Sequence, residues 1–252
     1  VTEPLLQGRV AVVTGGSSGM GRSIALRIAE HGARAVVLAS RGNTPREGGR
    51  PTEELVRERG AECVFVETDV AERAQVQRAV EAAEEFGGLD LMVNNAGILQ
   101  GKDFLEVTEA DLAHTMDVNF GGTFFGAQAA AASMIAGGRS GTIVNVSSIG
   151  AVRGHAMATM YSASKGAVDA FTRSLADALG PHGIRVNGIH PGHIETEMLR
   201  VDLRGGSPLR IPLGRRGLPE EVADAVVYLA SGLSSYVHGT TLVLDGGYSA
   251  VL

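Results

Sequence analysis

Short runs of consecutive apolar residues alternate along this chain with longer stretches in which apolar positions recur every three or four residues. Residues 9–14, 35–39, 62–66, 89–93, 142–146, 184–189 and 241–244 form the short runs and read as buried strands. The longer stretches read as amphipathic helices: one carrying Ile24, Leu26, Ile28 and Ala29, a short one at 52–59, and others at 72–86, 109–136 and 219–230. Another opens at Tyr161 and continues through Val168, Phe171, Leu175 and Leu179. Strands without polar alternation, each followed by a helix, predict a doubly wound α/β domain: a seven-stranded parallel sheet covered on both faces. No linker, repeat or low-complexity segment divides the chain, so residues 1–252 are expected to form a single domain.

Two connections break the rhythm. Residues 41–51 are rich in Gly, Pro and Arg, and residues 192–218 form the longest connection in the chain. Both follow carboxyl ends of strands, where ligands bind in parallel sheets. The second, with Gly205, Gly206, Pro208 and Pro212, is expected to act as a substrate-binding lid over 193–213.

Composition narrows the function classes. A net charge of −6 offers no basic footprint for nucleic acid. No stretch approaches the roughly 18 apolar residues that cross a bilayer, and no leader pattern appears at the start, so a cytoplasmic protein is expected. The single cysteine, Cys63, sits among apolar neighbours and reads as a core residue. His190 and His193 flank Pro191-Gly192 without a thiol or carboxylate cluster, so no metal site is expected.

The chemistry-bearing residues lie mainly at the ends of the predicted strands. Gly15, Gly19 and Gly21 follow the first strand and open a helix, a turn that lets backbone N–H groups approach a pyrophosphate. Tyr161 and Lys165 are four residues apart and share a helical face. An ammonium close to a phenol favours the phenolate, which makes the pair a candidate proton donor and acceptor. Of 22 basic residues only Lys102 and Lys165 are lysines, so a compact amine stands out at this position. Asn119 precedes Gly121-Gly122, a pair that favours a kink in the long helix.

Thr14-Gly-x-x-x-Gly-x-Gly, Asn94-Asn-Ala-Gly97, Tyr161-x-x-x-Lys165, Pro191-Gly192 and Leu244-Asp-Gly-Gly247 together resemble the short-chain dehydrogenase/reductase family, in its single-domain branch, over essentially the whole chain. The resemblance implies hydride transfer between a nicotinamide and a carbonyl or secondary alcohol. It implies a catalytic set of Asn119, Ser148, Tyr161 and Lys165, with Ser147 supporting Ser148. It implies cofactor contacts from Gly15, Ser17, Ser18, Gly19, Met20 and Gly21, from Asp69, Val70, Asn95, Ala96 and Gly97, from Tyr161 and Lys165, and from Pro191, Gly192, Ile194 and Thr196. Lys165 would also contact the ribose, and Asn119 would anchor a water.

Strand two ends in Ser40-Arg41 without the acid that binds a ribose hydroxyl and repels a 2′-phosphate. Arg41 can pair that phosphate, so NADP(H) is the expected cofactor, with a solvated Arg41 as the plainer alternative. Ser18 stands where many NADP-dependent relatives carry a second basic residue. Ile149, Val152, His155, Met157, Met160, Met198 and Leu199 are expected to line a largely apolar pocket, with His155 or Arg153 orienting a polar group. That favours a ketoreductase of medium-sized apolar or acyl ketones. The alternatives are an NAD-linked polyol, sugar or hydroxysteroid dehydrogenase and, in another class, a nucleotide-binding regulator without turnover. Small residues at Ser162, Ala163, Gly166 and Ala167 and at Ala127 to Ala132 permit close helix approach between subunits, so a homotetramer is expected, with a dimer second.

Overall fold

The computed structural model describes residues 4–197 and 210–250. Its strands are β1 (Val10–Thr14), β2 (Ala35–Ser40), β3 (Glu62–Glu67), β4 (Leu91–Asn94), β5 (Gly141–Val146), β6 (Ile184–Pro191) and β7 (Thr241–Leu244). They form one sheet in the order β3-β2-β1-β4-β5-β6-β7, every pairing parallel. The order reverses between β1 and β4, which opens a crevice at their carboxyl ends.

Side chains alternate across each strand, so the consecutive apolar runs feed two cores. Ala11, Val13, Val36 and Leu38 pack with helices α1 (Gly19–Glu30) and α2 (Thr52–Glu58) and the last helix, α7 (Pro219–Ala230). Val10, Val12, Val37 and Ile143 pack on the other face with α3 (Arg73–Glu81), α5 (Gly122–Ala136) and α6 (Thr159–Leu179). Helix α4 (Glu109–Met116) is set by a capping box, in which Thr108 and Asp111 satisfy each other's backbone N–H groups.

The predicted helix over 109–136 is two helices joined by a π-helical turn at Asp117–Gly121, directly before the Gly121-Gly122 junction. The wide turn carries Asn119 in its middle. The helix expected over 72–86 tightens to a 3-10 turn at Ala82–Phe86 and stops at Gly87, which has φ 97°. Strand β4 starts later than expected, at Leu91, and the Asp90 carboxylate just before it accepts from the Val10 N–H at 2.9 Å.

The small-residue argument for subunit contact is corrected in part. Ala127, Ala129, Ala130 and Ala131 are buried against this chain's own sheet. What the π-helical turn, α5 and α6 present outward includes an aromatic cluster, Phe120, Phe124 and Phe171, with ring centroids 5.3 to 6.2 Å apart. Most of the expected lid, with Met198 and Leu199, lies outside the described residues. No described helix is long and apolar enough to cross a membrane.

Candidate active site

The turn between β1 and α1 shows why three glycines are needed. Gly15 adopts φ 68°, and a Cβ at Gly21 would lie 2.1 Å from the Gly15 carbonyl oxygen, so the helix can close onto the turn only without a side chain there. The Thr14 hydroxyl accepts from the Asn95 and Ala96 N–H groups at 2.9 and 3.0 Å and thereby ties the end of β1 to the end of β4. Above this seam lies a cleft of about 360 Å³. Gly15, Ser17, Ser18, Gly19, Met20, Gly21, Ser40, Arg41, Asp69, Val70, Asn95, Ala96, Gly97 and Thr196 line it, all of them expected from the sequence.

A second cavity of about 140 Å³ adjoins the first, with Met20 and Thr196 on the walls of both. Ser148, Tyr161, Pro191, Gly192 and Ile194 line it. Ser148 caps a short 3-10 turn by accepting from the Gly150 N–H at 3.0 Å, and it shares the cavity wall with Tyr161, whose phenol it influences. The site therefore places a phenol and an alcohol side by side, facing the same small space.

Lys165 and Asn119 stand one layer behind. Both are buried, and neither lines a cavity wall. The Lys165 Nζ donates to the Val146 carbonyl at 2.8 Å, and the Ser147 hydroxyl donates to the Lys165 carbonyl at 2.9 Å. The Asn119 amide donates to the Ile98 carbonyl and the Ser164 hydroxyl at 3.0 and 2.9 Å and accepts from the Ile98 N–H at 2.8 Å. Gly97 on the cleft wall lies against these groups, since a Cβ there would be 3.2 Å from Asn119 Oδ1 and 3.4 Å from Lys165 Nζ.

The electrostatics differ from the sequence expectation. Burial pushes the Tyr161 phenol above its ordinary value, and the neighbouring Ser148 hydroxyl opposes this only in part. The Lys165 ammonium, 5.8 Å from the ring centroid, does not reverse the effect. Burial instead brings Lys165 itself down to about 8. A buried amine is disfavoured in its charged form, as the tyrosine's own burial disfavours the phenolate.

The pocket prediction also changes. Ile149, His155 and Arg153 line the second cavity, whereas Val152 is exposed and Met160 is buried in the core. Wall residues not named for the pocket from the sequence include Ser162, Tyr248 and His193, the last being the first residue of the expected lid. The ring of His193 meets that of Tyr248 edge-on at 4.8 Å, and the Arg153 guanidinium lies 5.6 Å from the Tyr248 centroid. Ser162 Oγ and His193 Nδ1 are buried without a hydrogen-bond partner, and so is Asn95 Oδ1 at the first cleft. Buried polar atoms are rarely left unpaired, and these three belong to residues on the walls of the two cavities. Thr44, Arg46 and Glu47 on the cleft were missed as well, because nothing in the 41–51 segment says where it folds. Among the described residues no group of three His, Cys, Asp or Glu could hold a metal ion.

The chain is similar to known proteins over nearly its whole length. A family model described as enoyl-(acyl carrier protein) reductase matches residues 15–249. The chain is 39% identical over 249 residues to L-rhamnose 1-dehydrogenase (NAD(P)(+)) of Azotobacter vinelandii, covering 96% of this chain and 97% of the relative. A short-chain type dehydrogenase/reductase from Mycobacterium marinum superposes with a TM-score of 0.88 at 35% identity, covering 98% of this chain and 97% of the other. A protein of Agrobacterium tumefaciens, provisionally assigned as a 2-deoxy-D-gluconate 3-dehydrogenase and solved with bound NADP, has a TM-score of 0.86 at 36% identity, over 98% and 99% of the two chains.

Proposed function

The chain belongs to the short-chain dehydrogenase/reductase family, and from that premise we propose that it is an NADP(H)-dependent oxidoreductase interconverting a carbonyl and a secondary alcohol. The observation that carries this reading is the meeting of Tyr161 and Ser148 on the wall of a small cavity that opens into the dinucleotide cleft.

The cleft suits a dinucleotide: the glycine turn leaves room for close approach, and the unpaired Asn95 Oδ1 offers an acceptor. Arg41 at the end of β2 favours the form with a 2′-phosphate. A nicotinamide bound there would supply or accept the hydride. Tyr161 keeps its proton through neutral pH and would deliver it to the carbonyl oxygen during reduction. Ser148 would hydrogen-bond the same oxygen as negative charge develops on it. Lys165, adjacent to the cleft behind Gly97, would hold the ribose and accept or release a proton near its lowered pKa. Asn119 fixes the 98 segment and the π-turn around that amine, and we assign it the water-anchoring role at the rear of the site.

The walls of the second cavity favour a small hydroxylated substrate over the apolar ketone expected from sequence. Ser162 Oγ and His193 Nδ1 lack partners, and Arg153, His155 and Tyr248 add further polar surface. Names among the relatives point the same way, including L-rhamnose 1-dehydrogenase and 2-dehydro-3-deoxy-D-gluconate 5-dehydrogenase. A panel of sugars, hydroxy acids, diols and apolar ketones, assayed with both nicotinamide cofactors in both directions, tests the reading. Turnover confined to long apolar ketones would overturn the substrate class, and no turnover with any carbonyl or alcohol would favour the non-catalytic regulator. We further propose a homotetramer, with a dimer second, assembled in part through the Phe120, Phe124 and Phe171 surface.

A further inference from the structure

Helix α1 begins at Gly19 without local anionic help. Its N-cap Ser18 makes no side-chain capping bond, and its first turn holds no acidic residue. The helix end nevertheless has an anion on it. Glu47, 28 positions away on the loop between β2 and α2, accepts from the Gly19 N–H through Oε1 at 3.0 Å, with Arg22 Nε at 3.9 Å. The loop is held there by further bonds: the Arg46 N–H donates to Ser18 Oγ at 3.0 Å, Arg22 donates to the Arg50 carbonyl at 2.8 Å, and Thr52 Oγ1 donates to the Ser17 carbonyl at 3.0 Å. Glu47, Arg46 and Arg41 all line the dinucleotide cleft.

We infer that Glu47 is a cofactor-selecting residue that works against the arginines; this rests on the assignment of the cleft to a nicotinamide dinucleotide. Strand β2 ends without an acid, but the loop brings one to the wall of the same cleft that Ser18, Ser40 and Arg41 line, where it accepts from the Gly19 N–H. A 2′-hydroxyl arriving there can donate a hydrogen bond to the carboxylate. A 2′-phosphate cannot, and it must expel Glu47 or bind beside a like charge. The carboxylate is partly exposed, its side chain 33% accessible, so it can leave its seat at small cost. Arg46 and Arg41 pull the phosphate in, Glu47 resists it, and the protein binds both forms with a narrowed preference.

Calorimetric titration of adenosine 2′,5′-bisphosphate, 5′-AMP, NADP⁺ and NAD⁺ into wild type, Glu47→Gln, Glu47→Ala and Arg41→Ala separates the contributions. Both Glu47 variants should gain about tenfold in affinity for the ligands with a 2′-phosphate, the scale of one charged hydrogen bond, and about threefold or less for the others. An unchanged ratio between the two ligand types in both Glu47 variants, with melting temperatures like wild type, overturns the inference. A loss of the ratio in Arg41→Ala beside an unchanged ratio in the Glu47 variants upholds the Arg41 assignment and rejects that of Glu47. A shift in the Glu47 variants with none in Arg41→Ala does the reverse. Absence of binding by any adenine ligand rejects the dinucleotide reading and, with it, the role of Glu47.

Discussion

The Lys165 Nζ donates a 2.8 Å hydrogen bond to the carbonyl of Val146, and that bond joins α6 to the last residue of β5. Ser147 answers with its own bond to the Lys165 carbonyl. The amine is thus held inside the protein, and its lowered pKa has consequences for stability as well as chemistry.

A folded-state pKa of about 8 lies below the ordinary 10.5, so between these values the unfolded chain binds more protons than the native one. Stability therefore rises with pH across that window, and the cost of the buried charge is fully present below pH 8. Wild type should gain roughly 5 °C in Tm relative to Lys165→Met between pH 7.5 and 9.5. Parallel Tm profiles over that range would show that the amine is not desolvated. Tyr161 does not confuse the comparison, because its raised pKa acts only above its ordinary 10.

Tyr161→Phe should leave dinucleotide binding intact and lower kcat by roughly 10² to 10⁴, the range of general acid catalysis. Ser148→Ala should cost about 10² to 10³ in kcat through loss of a hydrogen bond to the developing oxyanion. Steady-state kinetics beside calorimetric binding reads both effects. Tyr161→Phe with turnover within tenfold of wild type would remove the tyrosine from the mechanism.

Gly97→Ala would place a methyl group 3.2 Å from Asn119 Oδ1 and 3.4 Å from Lys165 Nζ. Asn119 is fixed by three hydrogen bonds and cannot yield freely. We expect a well-folded protein with kcat reduced at least tenfold, about 1.4 kcal/mol of barrier. Unimpaired turnover would show that this gap has no part in catalysis.

Cofactor preference should respond to Ser40→Asp combined with Arg41→Ala by reversing the ratio of kcat/KM for NADPH over NADH. Rising salt should erode the wild-type preference, because the Arg41 contribution is a surface charge interaction. A wild-type preference for NADH would refute the role given to Arg41.

Cys63 is buried and its thiol is pushed up to about 12 by burial, with Glu53 adding to the shift. A thiol-reactive dye at pH 8 should label it only at the rate of unfolding. Labelling within seconds in native buffer would contradict that packing.

The sequence by itself determined the strands, the glycine turn, the helix bearing Tyr161 and Lys165, and the irregularity at Asn119. Each is written in local spacing: unbroken apolar runs for strands buried on both faces, glycines where backbones must meet, four-residue steps for one helical face. Only the tertiary structure decided where those surfaces point. The alanines of α5 read equally well as an outer or an inner face until the sheet lay beneath them. Tyr161 and Lys165 share a helical face, but their protonation depends on burial contributed by β5 and the segments around it. Glu47 reaches Gly19 because the 41–51 loop folds back over α1, and no periodicity records that contact, since it arises from hydrogen bonds between residues 28 positions apart.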